Sequence, residues 1–214
     1  MTTITISRQL GCGGKDVATL ICERLGFRYF DKELMTQLGA ELGLAPEQIV
    51  DLPEHQHRVK SLVERLFGAT INPFGDPSGW TIPAQLEAQQ RTSVQTFQSL
   101  IQAAHAHGDV VIMGRGGQAV LHNTPGVLHV RLVAPLEQRI ERVRQREELS
   151  ADEARARIIE RDAASFDYVR RFYTVDATDP LLYDMVINTD HLPLPSVADL
   201  IVRALEALPA SAAL

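Results

Sequence analysis

The run Gly11-Cys12-Gly13-Gly14-Lys15-Asp16 carries the densest chemical potential in this chain of 214 residues. Glycines let backbone N–H groups converge on one anion, and a neighbouring lysine adds a full positive charge. Such a group cradles phosphate. Asp16 adds a carboxylate able to hold magnesium, directly or through water, although it also repels phosphate oxygens. Arg115, between Gly114 and Gly116, offers a planar fork for phosphate or carboxylate, and its neighbours let a ligand approach the backbone. Arginines recur from Arg139 to Arg171, and helix spacing pairs some with acids, as in Glu141 to Arg144 and Glu153 to Arg157. Arg161, Arg170 and Arg171 are less readily explained that way. They suit an arginine-bearing lid that neutralises a transferring phosphoryl group and excludes water.

The elements that must position these groups follow from periodicity. Thr3 to Ile6 alternates as a strand, and Val17, Leu20, Ile21 and Leu25 share one face of the helix after the glycines. Phe27 to Phe30 is a short strand, with Asp31 capping a helix that carries Leu34, Met35, Leu38 and Leu42. Helical spacing continues to Phe67, an irregular loop with Phe74 and Trp80 spans 68 to 80, and a long helix runs from Pro83 to His107. Asp109 to Met113 is an apolar run suited to a central parallel strand, and it delivers Arg115 to the strand's C-terminal end, where open α/β sheets bind ligands. Val127 to Val133 is the next strand, and Pro135 opens a helix with Leu136, Ile140 and Val143 inward. Ser150 to Glu153 is a capping box for a helix through Arg161. Tyr183 to Asn188 is the last strand, followed by a helix lined by Val197, Leu200, Ile201, Ala204 and Leu205. The fold class is α/β, a three-layer sandwich around a parallel sheet. Its core takes about 1–30, 109–143 and 181–208, with a helical insertion at about 31–108 and a basic one at about 144–180.

Composition narrows the class. With 27 acidic and 21 basic residues the net charge is -6, which argues against broad nucleic-acid binding. No apolar run reaches the length of a membrane span, and a strand begins within three residues, leaving no room for a secretion signal. Cys12 and Cys22 form no CxxC pair and read as reduced thiols of a cytoplasmic protein; Cys12 is a small residue fitted to the turn or, alternatively, a redox thiol. The pairs His55/His57 and His105/His107 put their side chains on different helix faces, so neither chelates a metal.

Two phosphate-binding strings compete for the glycine turn. In GxxxxGK[ST], Gly14-Lys15 supplies the GK, Gln9 stands where the first glycine belongs, and Asp16 replaces the hydroxyl residue that holds Mg²⁺. In GxGxxG, Gly11 and Gly13 match, Asp31 stands twenty residues on, and Asp16 occupies the third glycine's place. A purely structural turn is the third reading.

The segments ITISRQLGCGGKDVA, FDKELM, VVIMGRGG, LHVRLVAPLEQRIERV and DPLLYDMVINT, taken in order, resemble the cytidylate kinase-like family of P-loop kinases. The resemblance runs from Thr3 to about Leu205. It implies a nucleoside monophosphate kinase fold in which 31–108 binds the acceptor and 144–180 is the lid. It also implies that Gly11, Cys12, Gly13, Gly14, Lys15 and Asp16 hold the phosphates of ATP. Lys15 would lie on the β and γ groups, Mg²⁺ beside Asp16, Arg115 on the acceptor phosphate, Arg161 in the lid, and Asp31 at the start of the acceptor-binding helix. The family's arginine after that aspartate is Gln37 here, the aspartate of its GRD is Gly116, and its later lid acid and arginine fall on Ser165 and Tyr168, with Arg170 and Arg171 close by.

The sequence therefore leads to ATP-dependent phosphoryl transfer to a small phosphorylated acceptor, a nucleoside monophosphate by resemblance. The partner is a small-molecule nucleotide, with no nucleic acid and no membrane, and a homodimer is compatible with the chain. A nucleotide sensor without turnover is the alternative, and a dinucleotide-dependent oxidoreductase a third.

Overall fold

The computed structural model describes residues 2–31 and 84–209. The helices read between 32 and 67, the loop at 68–80, Gln37 and the His55/His57 pair lie outside the described residues.

Five strands form one parallel sheet: β1 (Thr3–Arg8), β2 (Arg28–Phe30), β3 (Val110–Met113), β4 (Val127–Val133) and β5 (Met185–Asn188), in the order β2-β3-β1-β4-β5. β1 is central, with Ile4 in register with Val111 on one side and Leu128 on the other. Its Ile/Thr alternation would suit a strand with one wet face, yet both faces are buried. The threonines are satisfied by histidines instead: Thr3 Oγ1 lies 3.0 Å from His105 Nδ1, and Thr5 Oγ1 lies 2.7 Å from His129 Nδ1. A buried hydroxyl is tolerated where it is hydrogen-bonded.

Helices cover both faces, completing the three layers. On one side α1 (Gly14–Leu25) presents Val17, Ala18 and Ile21, and the closing helix presents Val197, Ala198, Ile201 and Leu205. On the other, α2 (Ala84–His107) packs Phe97, Leu100 and Ile101 against Phe30, Val110 and Ile112. The one-turn helix α3 (Gly117–Val120) follows β3. The pair α4 (Leu136–Glu147) and α5 (Ala151–Tyr173) meets through Ile140, Val143, Ala154 and Ile158, with Leu10 against them. The closing helix is α6 (Leu194–Glu206).

The capping box that opens α5 is formed: Ser150 Oγ accepts from Glu153 N–H, and the Glu153 carboxylate accepts from Ser150 N–H at 2.9 Å. The helix then runs twelve residues past Arg161, where the spacing ended it, because Tyr168 and Val169 are buried against Val94 and Ala177. Tertiary packing carries a helix beyond the point where its own periodicity fades.

Candidate functional site

All strands are parallel, so their C-terminal ends share one edge. Arg8 leaves β1 there, Asp31 follows β2, Gly114 and Arg115 follow β3, Ala134 follows β4 and Thr189 follows β5. The glycine turn is held to this edge by side chains that the sequence alone did not single out. Gln9 Oε1 accepts from Ala134 N–H at 3.2 Å, which gives the residue in the first-glycine place a structural task between β1 and β4. Asp162 of α5 accepts from Leu10 N–H at 2.9 Å, and Arg139 donates to Leu10 O and to Ala134 O. Arg139 and Asp162 also pair with each other at 2.5 Å, both nearly buried. Thr189 Oγ1 donates to Cys12 O at 2.8 Å.

Gly11 (φ +85°) must be glycine, since a Cβ would stand 2.8 Å from Arg139 O. Gly13 (φ +80°) precedes α1 without a side-chain cap, leaving the helix's first N–H groups available to an anion. Gly14 begins the helix, and Lys15 and Asp16 lie exposed on its first turn. Cys12 is fully buried, and burial pushes its thiol up despite Arg8 and Arg139 nearby, the opposite of an activated thiolate.

Arg115 holds a left-handed backbone conformation (φ +57°). Its guanidinium carbon lies 4.8 Å from the Phe97 ring centroid and 5.6 Å from that of Tyr168. Its carbonyl accepts from Tyr173 Oη–H at 3.0 Å, and a Cβ on Gly116 would collide with the Tyr173 ring. Burial draws the Arg115 pKa down to about 10, so the group stays charged at neutral pH. Tyr168 Oη is buried with no hydrogen-bond partner among the described residues.

Beside the entry to the glycine turn, α5 contributes Arg157 and Arg161 to a cleft of about 260 Å³ that Arg8, Leu10, Glu147, Asp162 and Ser165 also line. Arg157 pairs with Glu147 of α4, while its helix-spaced candidate Glu153 is used in the cap. Arg144 does pair with Glu141, at 3.2 Å. Arg170 and Arg171 lie exposed near the end of α5, the first paired with Asp167 and the second over the Phe172 ring, and neither lines this cleft. The structure thus brings Arg161 together with Arg8 and Leu10 at the entry to the glycine turn, sets Arg115 and Asp31 on the same edge, and leaves Arg170 and Arg171 outside.

Arg131 is a further residue that sequence reasoning passed over. It is buried in β4, donates to Ser7 Oγ (3.2 Å) and Tyr183 Oη (3.3 Å), and stacks near the Phe166 and Tyr183 rings. The available signal was a lone arginine inside the otherwise apolar VLHVRLV.

The sequence model of the cytidylate kinase-like family matches residues 3–191, which include every one of these side chains. The chain belongs to that family. A cytidylate kinase from Sulfolobus acidocaldarius is 26% identical over 199 residues, covering 93% of this chain and 91% of the relative. Among solved structures, an uncharacterised protein from Eubacterium ventriosum superposes with a TM-score of 0.69 at 16% identity, covering 97% of this chain and 99% of its own. A shikimate kinase from Bacteroides thetaiotaomicron gives 0.52 at 14% identity, covering 96% and 98%. The fold of this cytidylate kinase-like protein is that of the P-loop kinases, and its family supports kinase-type phosphoryl transfer as the class of chemistry. Among the described residues no helix is long and apolar enough to cross a membrane, and no cluster of three metal-ligating side chains is present.

Proposed function

We propose that this protein transfers a phosphoryl group from ATP to a small phosphorylated acceptor, a nucleoside monophosphate. The observation that carries the reading is a cleft lined by Arg8 and Leu10, where β1 enters the uncapped glycine turn, and by Arg157 and Arg161 of α5. A direct in-line transfer needs no protein nucleophile; it needs positioning and charge neutralisation. The turn from Gly11 to Lys15 would bind the ATP phosphates through backbone N–H groups, the α1 terminus and the Lys15 ammonium. Arg115 would hold the acceptor phosphate, its orientation set by the Phe97 and Tyr168 rings. Arg161 would spread charge from the α5 side, and Arg170 and Arg171 would contribute only if α5 shifts toward the cleft. Asp31 would orient the acceptor from the end of β2.

Magnesium, where bound, supplies charge neutralisation between donor oxygens. Asp16 would hold it as a lone, exposed carboxylate beside the turn, which fits an ion that keeps most of its waters and takes its other oxygens from phosphate. The exposed Lys15 and the carboxylate in place of a hydroxyl also favour a second reading, a nucleotide sensor without turnover.

Purified protein with Mg-ATP and a panel of nucleoside monophosphates distinguishes the two. Product is expected with at least one acceptor, and Arg115→Ala is expected to lower kcat/KM by about 10²–10³; Lys15→Ala is expected to weaken ATP use. Saturable ATP binding with no product from any acceptor supports the sensor. Binding of NAD(P) with neither ATP nor GTP overturns both.

A further inference from the structure

Arg8 is the last residue of β1, in register with Leu132, and it stands where the strand gives way to the glycine turn. The residue is exposed, but its side chain folds back over the turn. The Cδ lies 2.7 Å from where a Cβ on Gly14 would be, so the stem crosses the first residue of α1 in room that only glycine leaves. Its Nη1 reaches to within 3.5 Å of the corresponding position on Gly114, beside Arg115. The head thus spans from the β1 exit across the mouth of the turn to the β3 exit. From there it lines the cleft together with Arg157 and Arg161 of α5.

The acids in that cleft are already engaged. Glu147 pairs with Arg146 and Arg157, and Asp162 with Arg139 and Leu10 N–H. Among the described residues no carboxylate pairs with Arg8, and Lys15 is not among the residues lining the cleft. A guanidinium next to another arginine, over an uncapped helix terminus, sits in a positive local field that favours an anion.

We propose that Arg8 is a phosphate-contacting residue, the cation that the turn itself aims into the cleft, and that it takes the terminal phosphate of the donor. This rests on the kinase reading above and adds to it a second cation that the family string does not assign. A planar fork can bind two phosphate oxygens at once, whereas Lys15 supplies a point charge from the rim. The two therefore differ in what they contribute: Arg8 grips the end of the polyphosphate, and Lys15 adds long-range attraction.

The test is calorimetric titration of the full chain with magnesium tripolyphosphate, Mg-ATP and adenosine, using wild type, Arg8→Ala, Arg8→Lys, Lys15→Ala and, as a charge control, Arg203→Ala on the exposed face of α6. Arg8→Ala is expected to weaken tripolyphosphate and ATP at least tenfold and adenosine less than twofold. Its loss should exceed that of Lys15→Ala, Arg8→Lys should recover part of it, and Arg203→Ala should stay within twofold of wild type. Circular dichroism melts establish that each variant is folded, and Arg8→Lys keeps the comparison open if Arg8→Ala is not. Affinity for tripolyphosphate within twofold of wild type in folded Arg8→Ala or Arg8→Lys together with a tenfold loss in Lys15→Ala overturns the proposal. Wild type that binds tripolyphosphate through Arg8 but not ATP overturns the kinase reading and the donor assignment with it, and leaves Arg8 only as a phosphate-contacting residue.

Discussion

Arg115 bears three costs at once: a left-handed backbone, partial removal from water, and two aromatic rings that restrict its side chain. A structural arginine could bond loop carbonyls from the surface without any of them, so these features suit a group pre-oriented for an anion. Its flanking glycines made it visible in the sequence. Arg8 and Arg131 were not visible, since nothing in a string says that a side chain at a strand end folds back over a turn. Tyr168 shows the same limit: its hydroxyl is buried without a partner among the described residues, although tyrosine in a basic helix reads as half-exposed. Removing an unsatisfied hydroxyl costs little or stabilises. Tyr168→Phe is expected to unfold in urea at the same midpoint or a higher one, by up to about 1 kcal/mol; a loss larger than that would mean the hydroxyl has a bond.

At the scale of elements, α5 is tied to the glycine turn by one acid. Asp162 accepts from Leu10 N–H and from Arg139, and Arg139 in turn holds the carbonyls of Leu10 and Ala134. Breaking a nearly buried pair from one side leaves the other charge unpaired, at about 3–5 kcal/mol. Asp162→Ala is therefore expected to lower stability by about 3 kcal/mol, and a cycle with Arg139→Ala should show coupling of about 1–3 kcal/mol, read by chemical denaturation. Additive single effects would mean that turn and helix are held independently. The start of α5 was legible because a capping box is written in four adjacent residues. Its end was not, because Tyr168 and Val169 are retained by Val94 and Ala177, far from α5 or beyond its end.

Across the whole molecule, two histidines in the sheet's polar seams set an acid limit. Burial lowers the pKa of His129, against the pull of Asp184, and burial together with the chain's N-terminal charge lowers that of His105. In the unfolded chain each takes a proton near pH 6.5, about its free value, while the folded protein resists it. The unfolded state then binds more protons, so stability falls as pH drops below about 6.5. Urea midpoints are expected to be lower at pH 5.5 than at pH 7.5, with a smaller difference in His129→Gln; an equal difference would place the titration elsewhere. What the sequence determined by itself is local: five strands and their helices through periodicity, the glycine turn and Arg115 through composition, and the cytidylate kinase-like family through its strings. Tertiary structure decided which cations face one another. Arg8, Arg139, Arg157 and Asp162 meet because parallel strands end on one edge and α5 packs back across it, and charges brought together by packing leave no periodic trace in the chain.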